Sequence, residues 1–460
     1  MASNEKCQWL RPASKIELAF DDIQKKDLVL TSYLVTLSSA APLQDNHVRK
    51  ALVHLYRKVP TLRLCFRLRE GTLWACEMDK EEIDFQVIEA TDPLKVMEDM
   101  LGKGFNSPKG PLWRARLVRA REGIQCPMPE LQAAFPYTRS LVLGNHHGIA
   151  DGTSNLKIVD LFLQILDDVI EGKTINDEEQ LGESEAGVET EKLLSAVEAE
   201  LEQDPEYLQS LLNEARNENK EPILTVQAYP PPEGVEVKTK VMIKDLDKNT
   251  TKDFLKRCKD EGVTVHSGFT ALLNGSIVDI LEETGMKQEA YHIKETHSIN
   301  MRRYWPGDTS RALGCHISMF PNNVKTVANW RDNFWEYART VHQSLHKSIN
   351  EKSPVEFFYI LWKLIGDALE ETFSEELVPE HEYATANLRN ADWLVPTDGK
   401  HVRLTHLVRA TGNWKDCWVH MFHTFRGRFI YCLCYSAHIV AEETASHFVD
   451  QLFKNLKSVI

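Results

Sequence analysis

A strongly acidic segment divides this chain into two halves. Between Glu171 and Glu221 there are 16 Asp or Glu residues and 4 Lys or Arg residues, so most of the formal net charge of -14 lies there. Such a run is typical of a solvated linker or an exposed helix pair, with a docking surface for a basic partner as the alternative. A chain of 460 residues is also long enough for two domains. We therefore predict a first subdomain at 1–175, an acidic helical linker at 176–234 and a second subdomain at 235–460.

Both halves alternate strand-like and helix-like segments. In the first half, residues 27–38 are rich in β-branched and aromatic residues, which predicts a strand. A helix follows, with apolar residues at helical spacing, and it stops at Pro60. The second half contains a long apolar helix after Gly262 and ends with strand-like segments between 401 and 438. The pattern predicts a mixed α/β fold in each half.

Composition narrows the function classes. The hydrophobic content of 42% can build a large core, while the acidic balance argues against a duplex-binding protein, which normally presents a basic face. No stretch reaches the roughly 18 apolar residues that a membrane helix needs, and the first residues do not resemble a secretory signal. The nine cysteines lack the paired spacing of a zinc site or a disulfide framework. We expect a soluble, cytoplasmic protein with no nucleic-acid partner and no integral membrane segment.

One motif carries candidate chemistry: His146-His147-Gly-Ile-Ala-Asp151-Gly152, which directly follows a strand-like segment and precedes an amphipathic helix. At such a junction a rigid frame can hold a reactive side chain outside the sheet. A histidine there can take up a proton near neutral pH, because its unperturbed pKa is about 6.5. Asp151 could orient the loop or pair with a cation, and Gly152 would permit the tight turn into the helix.

The motif also has two blander interpretations. It could be a polar loop with incidental histidines, or His146, His147 and Asp151 could bind a metal. Adjacent histidines on an extended segment point to opposite sides, and no further ligand cluster is evident, which disfavours the metal site. We expect Thr153 or Ser154 to cap the helix that follows.

HHGIADG matches the HHxxxDG signature of a superfamily that includes chloramphenicol acetyltransferase, the BAHD plant acyltransferases, alcohol acetyltransferases and the condensation domains of peptide synthetases. The chain resembles this superfamily over most of its length outside the acidic segment. Further similar segments are 50–67 (KALVHLYRKVPTLRLCFR), 110–116 (GPLWRAR), 262–267 (GVTVHS) and 298–303 (SINMRR), the last followed by Gly314.

The resemblance implies a fold and a set of roles. The fold would be two similar chloramphenicol-acetyltransferase-like α/β domains, each a mixed sheet with flanking helices, facing each other across an active-site tunnel. His147 would be the general base that takes a proton from an acceptor hydroxyl or amine. Asp151 would orient the motif loop by pairing with an arginine of the second domain, for which Arg302 is the best match and Arg303 the adjacent alternative. His146 and Gly152 would be structural.

One segment departs from the BAHD pattern. The chain has no DFGWG loop, and the corresponding region, 385–390, is closer to the SNlG loop of alcohol acetyltransferases, with its glycine replaced. The resemblance thus favours the alcohol O-acetyltransferase branch and leaves the oxyanion donor open, with Asn387 as a candidate. His266 and His297, which flank the long helix of the second half, could line the tunnel.

The resemblance implies a CoA-dependent acyltransferase that works through a direct ternary complex and has no bound cofactor or metal. It would O-acetylate a small lipophilic alcohol with acetyl-CoA as co-substrate. These two small molecules would be its partners, and the protein would be a monomer. An N-acyltransferase and a carrier-protein-dependent condensation enzyme are the alternatives. The non-enzymatic alternative is a catalytically silent protein that holds a hydrophobic ligand.

Overall fold

Two mixed β-sheets with flanking helices form the core of the computed structural model, which describes residues 8–90, 92–119, 125–182, 188–218, 223–322, 324–367, 379–412 and 416–460. The strands are β1 (Gln8–Pro12), β2 (Thr31–Ser39), β3 (Leu64–Arg69), β4 (Thr72–Glu77), β5 (Asp84–Glu89), β6 (Trp113–Arg119), β7 (Tyr137–Asn145), β8 (Thr239–Asp245), β9 (Ala290–Tyr291), β10 (Glu295–Asn300), β11 (Ile317–Pro321), β12 (Thr326–Val327), β13 (His381–Asn390), β14 (Val402–Thr411), β15 (Asp416–Phe425) and β16 (Arg428–Ser436). The α-helices are α1 (Lys15–Gln24), α2 (Asp45–Lys58), α3 (Pro93–Leu101), α4 (Gly152–Glu171), α5 (Val188–Glu202), α6 (Pro205–Glu218), α7 (Leu224–Ala228), α8 (Lys248–Asp260), α9 (Val265–Glu283), α10 (Phe334–Asn350), α11 (Ser353–Asp367) and α12 (Glu442–Val459).

The local elements follow the sequence pattern closely. β2 is buried along its whole length, in keeping with its β-branched and aromatic composition. α2 buries one apolar face and ends at Lys58, before Pro60, whose ring cannot continue a helix. β3 and β4 pair as an antiparallel hairpin, and Glu70 and Gly71 both take positive φ angles in its turn. These elements confirm the mixed α/β composition predicted for the first half.

The first sheet has the strand order β14-β2-β7-β6-β5. β2 pairs antiparallel with both β7 and β14, whereas β5 and β6 run parallel. α2 and α4 pack against each other, and their apolar faces share one buried core with the sheet through residues such as Leu52, Val159 and Phe162. The motif loop follows β7, a strand with hydrogen-bonded neighbours on both sides, so the frame that holds it is rigid.

The second sheet has the order β11-β10-β13-β15-β16-β8. β13 pairs parallel with β10 and β15, and the remaining pairs are antiparallel. α9 is buried on nearly all sides and packs against α10 and α12, in keeping with its largely apolar sequence. Gly275 lets α9 approach the turn before α10, because a Cβ atom there would meet the Trp330 ring at 2.4 Å.

The two sheets meet along a contact that we call the sheet seam. Leu34 and Val142 of the first sheet share a buried cluster with Val419 and Met421 of the second. β14 crosses from the second half to the first sheet: its residues lie within 235–460, but it hydrogen-bonds to β2. The mixed sheets with flanking helices confirm the predicted fold class. The boundaries 1–175, 176–234 and 235–460 stay a prediction.

The acidic segment forms the helix pair α5 and α6 within its described residues. α5 buries Leu194, Val197 and Leu201 in the core of the second half and packs against α11. In the described part of the chain, no helix combines the length and apolar character that crossing a bilayer requires.

Candidate functional site

His146 is fully buried and fixes the motif loop through its own ring. β7 ends at Asn145, and a 3-10 turn over His147–Ile149 leads toward α4. The His146 Nδ1 atom accepts a hydrogen bond from the Gly148 N–H at 2.9 Å. The ring proton therefore resides on Nε2, which faces Asp21 Oδ1 of α1 at 3.5 Å. His146 thus ties the loop to α1 and is turned away from solvent.

His147 keeps partial solvent exposure and lies between the two halves of the chain. Its imidazole stacks on Phe20 of α1, with ring centroids 4.4 Å apart and planes 10° apart. Its Nδ1 atom lies 3.5 Å from the Sγ atom of Cys315 in the second half. Burial lowers the pKa of His147 to about 4, against smaller upward contributions from its own carbonyl and the charge of Asp151. The imidazole is therefore neutral at pH 7 and free to accept a proton.

Asp151 joins the motif loop to both α4 and the second half. Its Oδ1 atom accepts a hydrogen bond from the Ser154 N–H at 2.8 Å, which makes Asp151 the N-cap of α4. The prediction of Thr153 or Ser154 as the cap is wrong, because both residues already lie in the first turn of the helix. The Asp151 Oδ2 atom accepts from Arg302 Nη1 at 2.5 Å and from the His316 main-chain N–H at 2.9 Å.

Arg302 is the second-half partner of Asp151, and only 5% of it is exposed. Burial alone would raise the pKa of the Asp151 carboxyl, but the charges of Arg302 and His316, together with hydrogen bonds, lower it to about 2. Arg303, the alternative, is exposed and lies near the Tyr304 ring instead. The guanidinium of Arg302 makes five hydrogen bonds, to Asp151 Oδ2, Asn300 Oδ1, Ser154 Oγ and the carbonyls of Ala312 and Gly314. We call Asp151, Ser154, Arg302 and the Gly314 carbonyl the cross-half clasp.

Gly152 is needed because a side chain would not fit at this position, and not because the backbone makes an unusual turn. Its φ angle lies outside the left-handed region, so the expected conformational reason for glycine does not hold. A Cβ atom at this position would meet Leu388 Cδ2 at 3.0 Å and Leu388 Cδ1 at 3.3 Å. Leu388 belongs to β13 of the second sheet, so the missing side chain lets the start of α4 approach the second half.

His266 and His297 contact each other, with 3.0 Å between His266 Nε2 and His297 Nδ1. His297 is buried and also contacts Thr385 Oγ1 at 2.9 Å and Glu295 Oε1 at 3.4 Å. His266 stacks on Phe422. Burial, and to a smaller extent the charge of His297, lowers the pKa of His266 well below the usual range. The described contacts connect this pair to the core of the second half and include none with the motif histidines.

Asn387 lies near the end of β13, where the pairing with β15 is irregular between Asn387 and Asn390. Its Oδ1 atom accepts a hydrogen bond from the Arg389 N–H at 2.7 Å. Among the described residues it makes no hydrogen bond to His147. The side chain stabilises its own loop, and its assignment as oxyanion donor stays a prediction.

Phe20, Cys315 and His316 are parts of this site that the sequence reasoning missed. Phe20 belongs to α1, more than a hundred positions before the motif, and nothing in its helical context marks it as a partner of His147. Cys315 and His316 directly follow Gly314, which the sequence did single out. That glycine was the available signal, because its carbonyl accepts hydrogen bonds from the Asp151 N–H and from Ser154.

The described residues hold no cluster of three or more His, Cys, Asp or Glu side chains that could bind a metal ion. This site is suited to proton transfer, because His147 is neutral, the clasp is shielded from water and the motif residues have no strained backbone. The chemistry that the arrangement can perform is to remove a proton from a weakly acidic group and to return it.

Known structures share this architecture over the whole chain. The TRI3 trichothecene 15-O-acetyltransferase from Fusarium sporotrichioides matches with a TM-score of 0.71 and 12% identity, covering 98% of this chain and 95% of the other. The first condensation domain of the CDA synthetase matches with a TM-score of 0.68 and 12% identity, covering 99% and 97%. Polyketide synthase associated protein 5 from Mycobacterium tuberculosis matches with a TM-score of 0.62 and 13% identity, covering 98% of each chain. Comparison with curated proteins gives no match.

These identities are low, so the structural matches establish the fold alone. The family evidence comes from the sequence itself, because the profile of the condensation domain matches residues 31–359. That range spans the first sheet apart from β14, the motif, the acidic segment and the clasp arginine. The chain therefore belongs to the condensation domain family.

Proposed function

We propose that this protein transfers an acyl group from a thioester donor to a hydroxyl or amine acceptor, with His147 as the general base. The Nδ1 atom of His147 faces Cys315, which leaves Nε2 as the atom that would take the acceptor proton. The acceptor oxygen or nitrogen would then form a bond to the thioester carbonyl carbon, and the carbon–sulfur bond would break. The leaving thiolate would recover the proton from the imidazolium, so no acyl-enzyme is needed.

One observation carries the proposal: a neutral, partly exposed imidazole lies where the halves meet, on a loop that is clamped from the other half. The low pKa of His147 keeps its lone pair available at neutral pH. The Asp151–Arg302 pair is buried, and the Asp151 carboxylate binds Ser154, Arg302 and His316 instead of His147, so the pair can position the loop without competing for the proton. Such preorganisation is what a general base requires.

A cluster of basic side chains in the second half supports a phosphate-bearing donor such as acyl-CoA. Arg303 and Arg389 are exposed, and neither makes an ion pair with any described residue. Burial is the main cause that lowers the pKa of His346, and the charges of Arg303 and Arg389 lower it further. The charge of Arg389 also lowers the pKa of His266. We call Arg303, Arg389, His266 and His346 the basic cluster, in which the two arginines carry the positive charge because the pKa of both histidines is lowered. Positive charge without carboxylate partners, in a chain of net charge -14, suits phosphate oxygens.

Acetyl-CoA and a small lipophilic alcohol are the substrates we propose first, because of the resemblance of 385–390 to the alcohol acetyltransferase loop. The match to a trichothecene 15-O-acetyltransferase is compatible with this choice. A carrier-bound donor is the second candidate, since a condensation domain of a synthetase also shares the fold. Both donors present a phosphopantetheine arm, so the basic cluster fits either.

The test follows thiol release and acylated product with three donors: acetyl-CoA, S-acetyl-phosphopantetheine and S-acetyl-pantetheine. A panel of alcohols and amines supplies the acceptor. We expect turnover with acetyl-CoA, a lower kcat/KM without the nucleotide phosphates, and a roughly tenfold loss for Arg389→Gln with the two phosphate-bearing donors but not with S-acetyl-pantetheine. Arg49→Gln, which removes an exposed arginine of α2, is the matched control.

Each outcome is informative. Equal kcat/KM for acetyl-CoA and S-acetyl-phosphopantetheine would favour the carrier-bound donor. The active acceptors would decide between O- and N-acylation. If no acceptor is acylated by any donor and acetyl-CoA does not bind, the proposal fails and a ligand-holding protein becomes the better explanation.

A further inference from the structure

Arg409 of β14 is a buried cation at the sheet seam. It is 2% exposed and ranks among the largest fully buried side chains of the protein. Its cross-strand partner in the first sheet is Tyr33 of β2. Its guanidinium reaches the second sheet, where Nη2 donates to the carbonyls of Ala386 and Phe422, both at 3.1 Å. Arg409 therefore bridges the two sheets from the strand that crosses between the halves.

One edge of this guanidinium has no protein acceptor. The Nε atom donates to His423 Nδ1 at 3.5 Å, and Nη2 makes the two contacts with main-chain carbonyls. Nη1 makes no hydrogen bond to any described residue, and it does not belong to the polar atoms that are sealed from solvent. An arginine has five N–H donors, so the two on Nη1 have no acceptor among the described residues.

Arg409 also has no counter-ion among the described residues. Burial lowers its pKa, and the groups that oppose this are Tyr33, Cys432 and Cys434, none of which is charged at neutral pH. The other buried arginines differ: Arg302 pairs with Asp151, and Arg114 lies 3.8 Å from Asp84. Burying an unpaired charge is costly, and proteins ordinarily supply a partner. No described residue supplies such a partner for Arg409, so its free edge is suited to an anionic ligand.

The position of Arg409 places this anion beside the motif. Burial raises the pKa of Tyr33 to about 12, with Arg409 and the side chain of Asn155 acting in the opposite direction. Asn155 in turn donates to the carbonyl of Ala150 in the motif loop at 3.3 Å. The charge of Asp151 is close enough to act on the Tyr33 hydroxyl as well. The free edge of Arg409 and the Tyr33 hydroxyl thus lie near the loop that carries the base.

We propose that Arg409 Nη1 and the Tyr33 hydroxyl bind a carboxylate group of a substrate. A carboxylate fits better than a phosphate because only one guanidinium nitrogen and one hydroxyl are available, whereas phosphate recognition uses several donors. The carboxylate belongs either to the acceptor or to the far end of a dicarboxylic acyl chain, so an acidic substrate takes the place of the neutral alcohol or of the acetyl donor proposed first. The inference rests on the proposed acyl transfer for the statement that the ligand is a substrate, but the binding site can be tested without turnover.

The experiment measures binding by calorimetry to the His147→Ala protein, which keeps Arg409 and lacks the base. The donor arm compares succinyl-CoA with butyryl-CoA, and the acceptor arm compares 3-hydroxybenzoate and phenylalanine with their methyl esters. We expect the carboxylate member of one arm to bind at least tenfold more tightly than its neutral partner. Arg409→Met in the same background should remove that preference and leave the affinity of the neutral partner unchanged.

Tyr33→Phe and Arg409→Lys complete the test. Tyr33→Phe, which removes only the hydroxyl, should weaken the carboxylate ligand severalfold and the neutral one not at all. Arg409→Lys retains the charge and should keep part of the preference, which separates recognition from a purely structural bridge. Where Arg409→Met does not fold, as judged by circular dichroism, these two variants decide the matter.

The inference is overturned if no carboxylate ligand binds better than its neutral partner, or if the substitutions weaken both members equally. A preference that depends on Arg409, in a protein whose wild type turns over no donor, would keep the binding site and reject the acyl transfer. Turnover of neutral substrates with no carboxylate preference would keep the acyl transfer and reject the binding site.

Discussion

Cutting the cross-half clasp on one side should destabilise the protein strongly. In Arg302→Met the carboxylate of Asp151, 1% exposed, loses its cation in a place where water cannot replace it. Removing one partner of a buried ion pair costs about 3–5 kcal/mol of unfolding free energy. The low pKa of Asp151 gives an independent figure, because a fall from 3.8 to about 2 corresponds to about 2 kcal/mol. We therefore expect Arg302→Met to lose about 2–5 kcal/mol at pH 7.

The sign of the pH dependence follows from the same pKa. The pKa of Asp151 is lower in the folded protein, so its contribution is present above pH of about 4 and is lost as the pH falls toward 2. Equilibrium urea unfolding followed by circular dichroism measures both effects. Asp151→Asn and the double variant Asp151→Asn/Arg302→Met complete a cycle with an expected coupling of about 2–4 kcal/mol. Arg303→Met, which removes the exposed neighbouring arginine, is the matched control.

An Arg302→Met variant that is no less stable than Arg303→Met, or simple additivity of the two clasp substitutions, would contradict this expectation. Additivity would mean that Asp151 and Arg302 stabilise the fold through separate contacts and not as a pair. In that case the hydrogen bond from the Ser154 N–H to Asp151, which caps α4, would account for the role of Asp151 by itself.

Three further predictions concern the site. Because the pKa of His147 is about 4, kcat/KM should stay level from pH 8 to about 5 and fall only near pH 4; an acid limb near 6.5 would contradict the lowered pKa of the imidazole. Gly152→Ala should cost about 1–3 kcal/mol in urea unfolding, because its Cβ meets Leu388, while Gly102→Ala, which meets no atom within 4 Å, should cost less; equal costs would disprove the steric argument. Phe20→Leu should lower kcat on the order of tenfold to a hundredfold with little change in KM, since His147 loses its stacking partner; an unchanged kcat would show that the stack does not position the base.

The sequence predicted the parts of the fold that depend on local pattern. α2 and β2 have a periodicity and a composition that suffice to place them. The motif was found for the same reason, since its histidines and its aspartate are contiguous with a strand and a helix. Arg302 was named from a resemblance, and the structure brings it against Asp151.

The remainder depends on contacts between distant segments, which a local pattern does not contain. Nothing in the residues of β14 distinguishes a strand of the second sheet from one that crosses to the first. Phe20 and Cys315 reach His147 only because α1 and the segment after Gly314 pack on the motif loop. The N-cap was misplaced by two or three residues because Asp151 uses both carboxylate oxygens, one for α4 and one for the second half.

Removal of the His147 imidazole is the most informative test of its role as the base for acyl transfer. The measurement is kcat/KM for thiol release from acetyl-CoA in His147→Ala and in wild type, with the best acceptor of the panel. Cys315→Ala serves as the control, because it changes the neighbour of His147 and leaves Nε2 intact. We expect a loss of about 10²–10⁴-fold in His147→Ala, with unchanged circular dichroism. Turnover within a few-fold of wild type in that variant would contradict it.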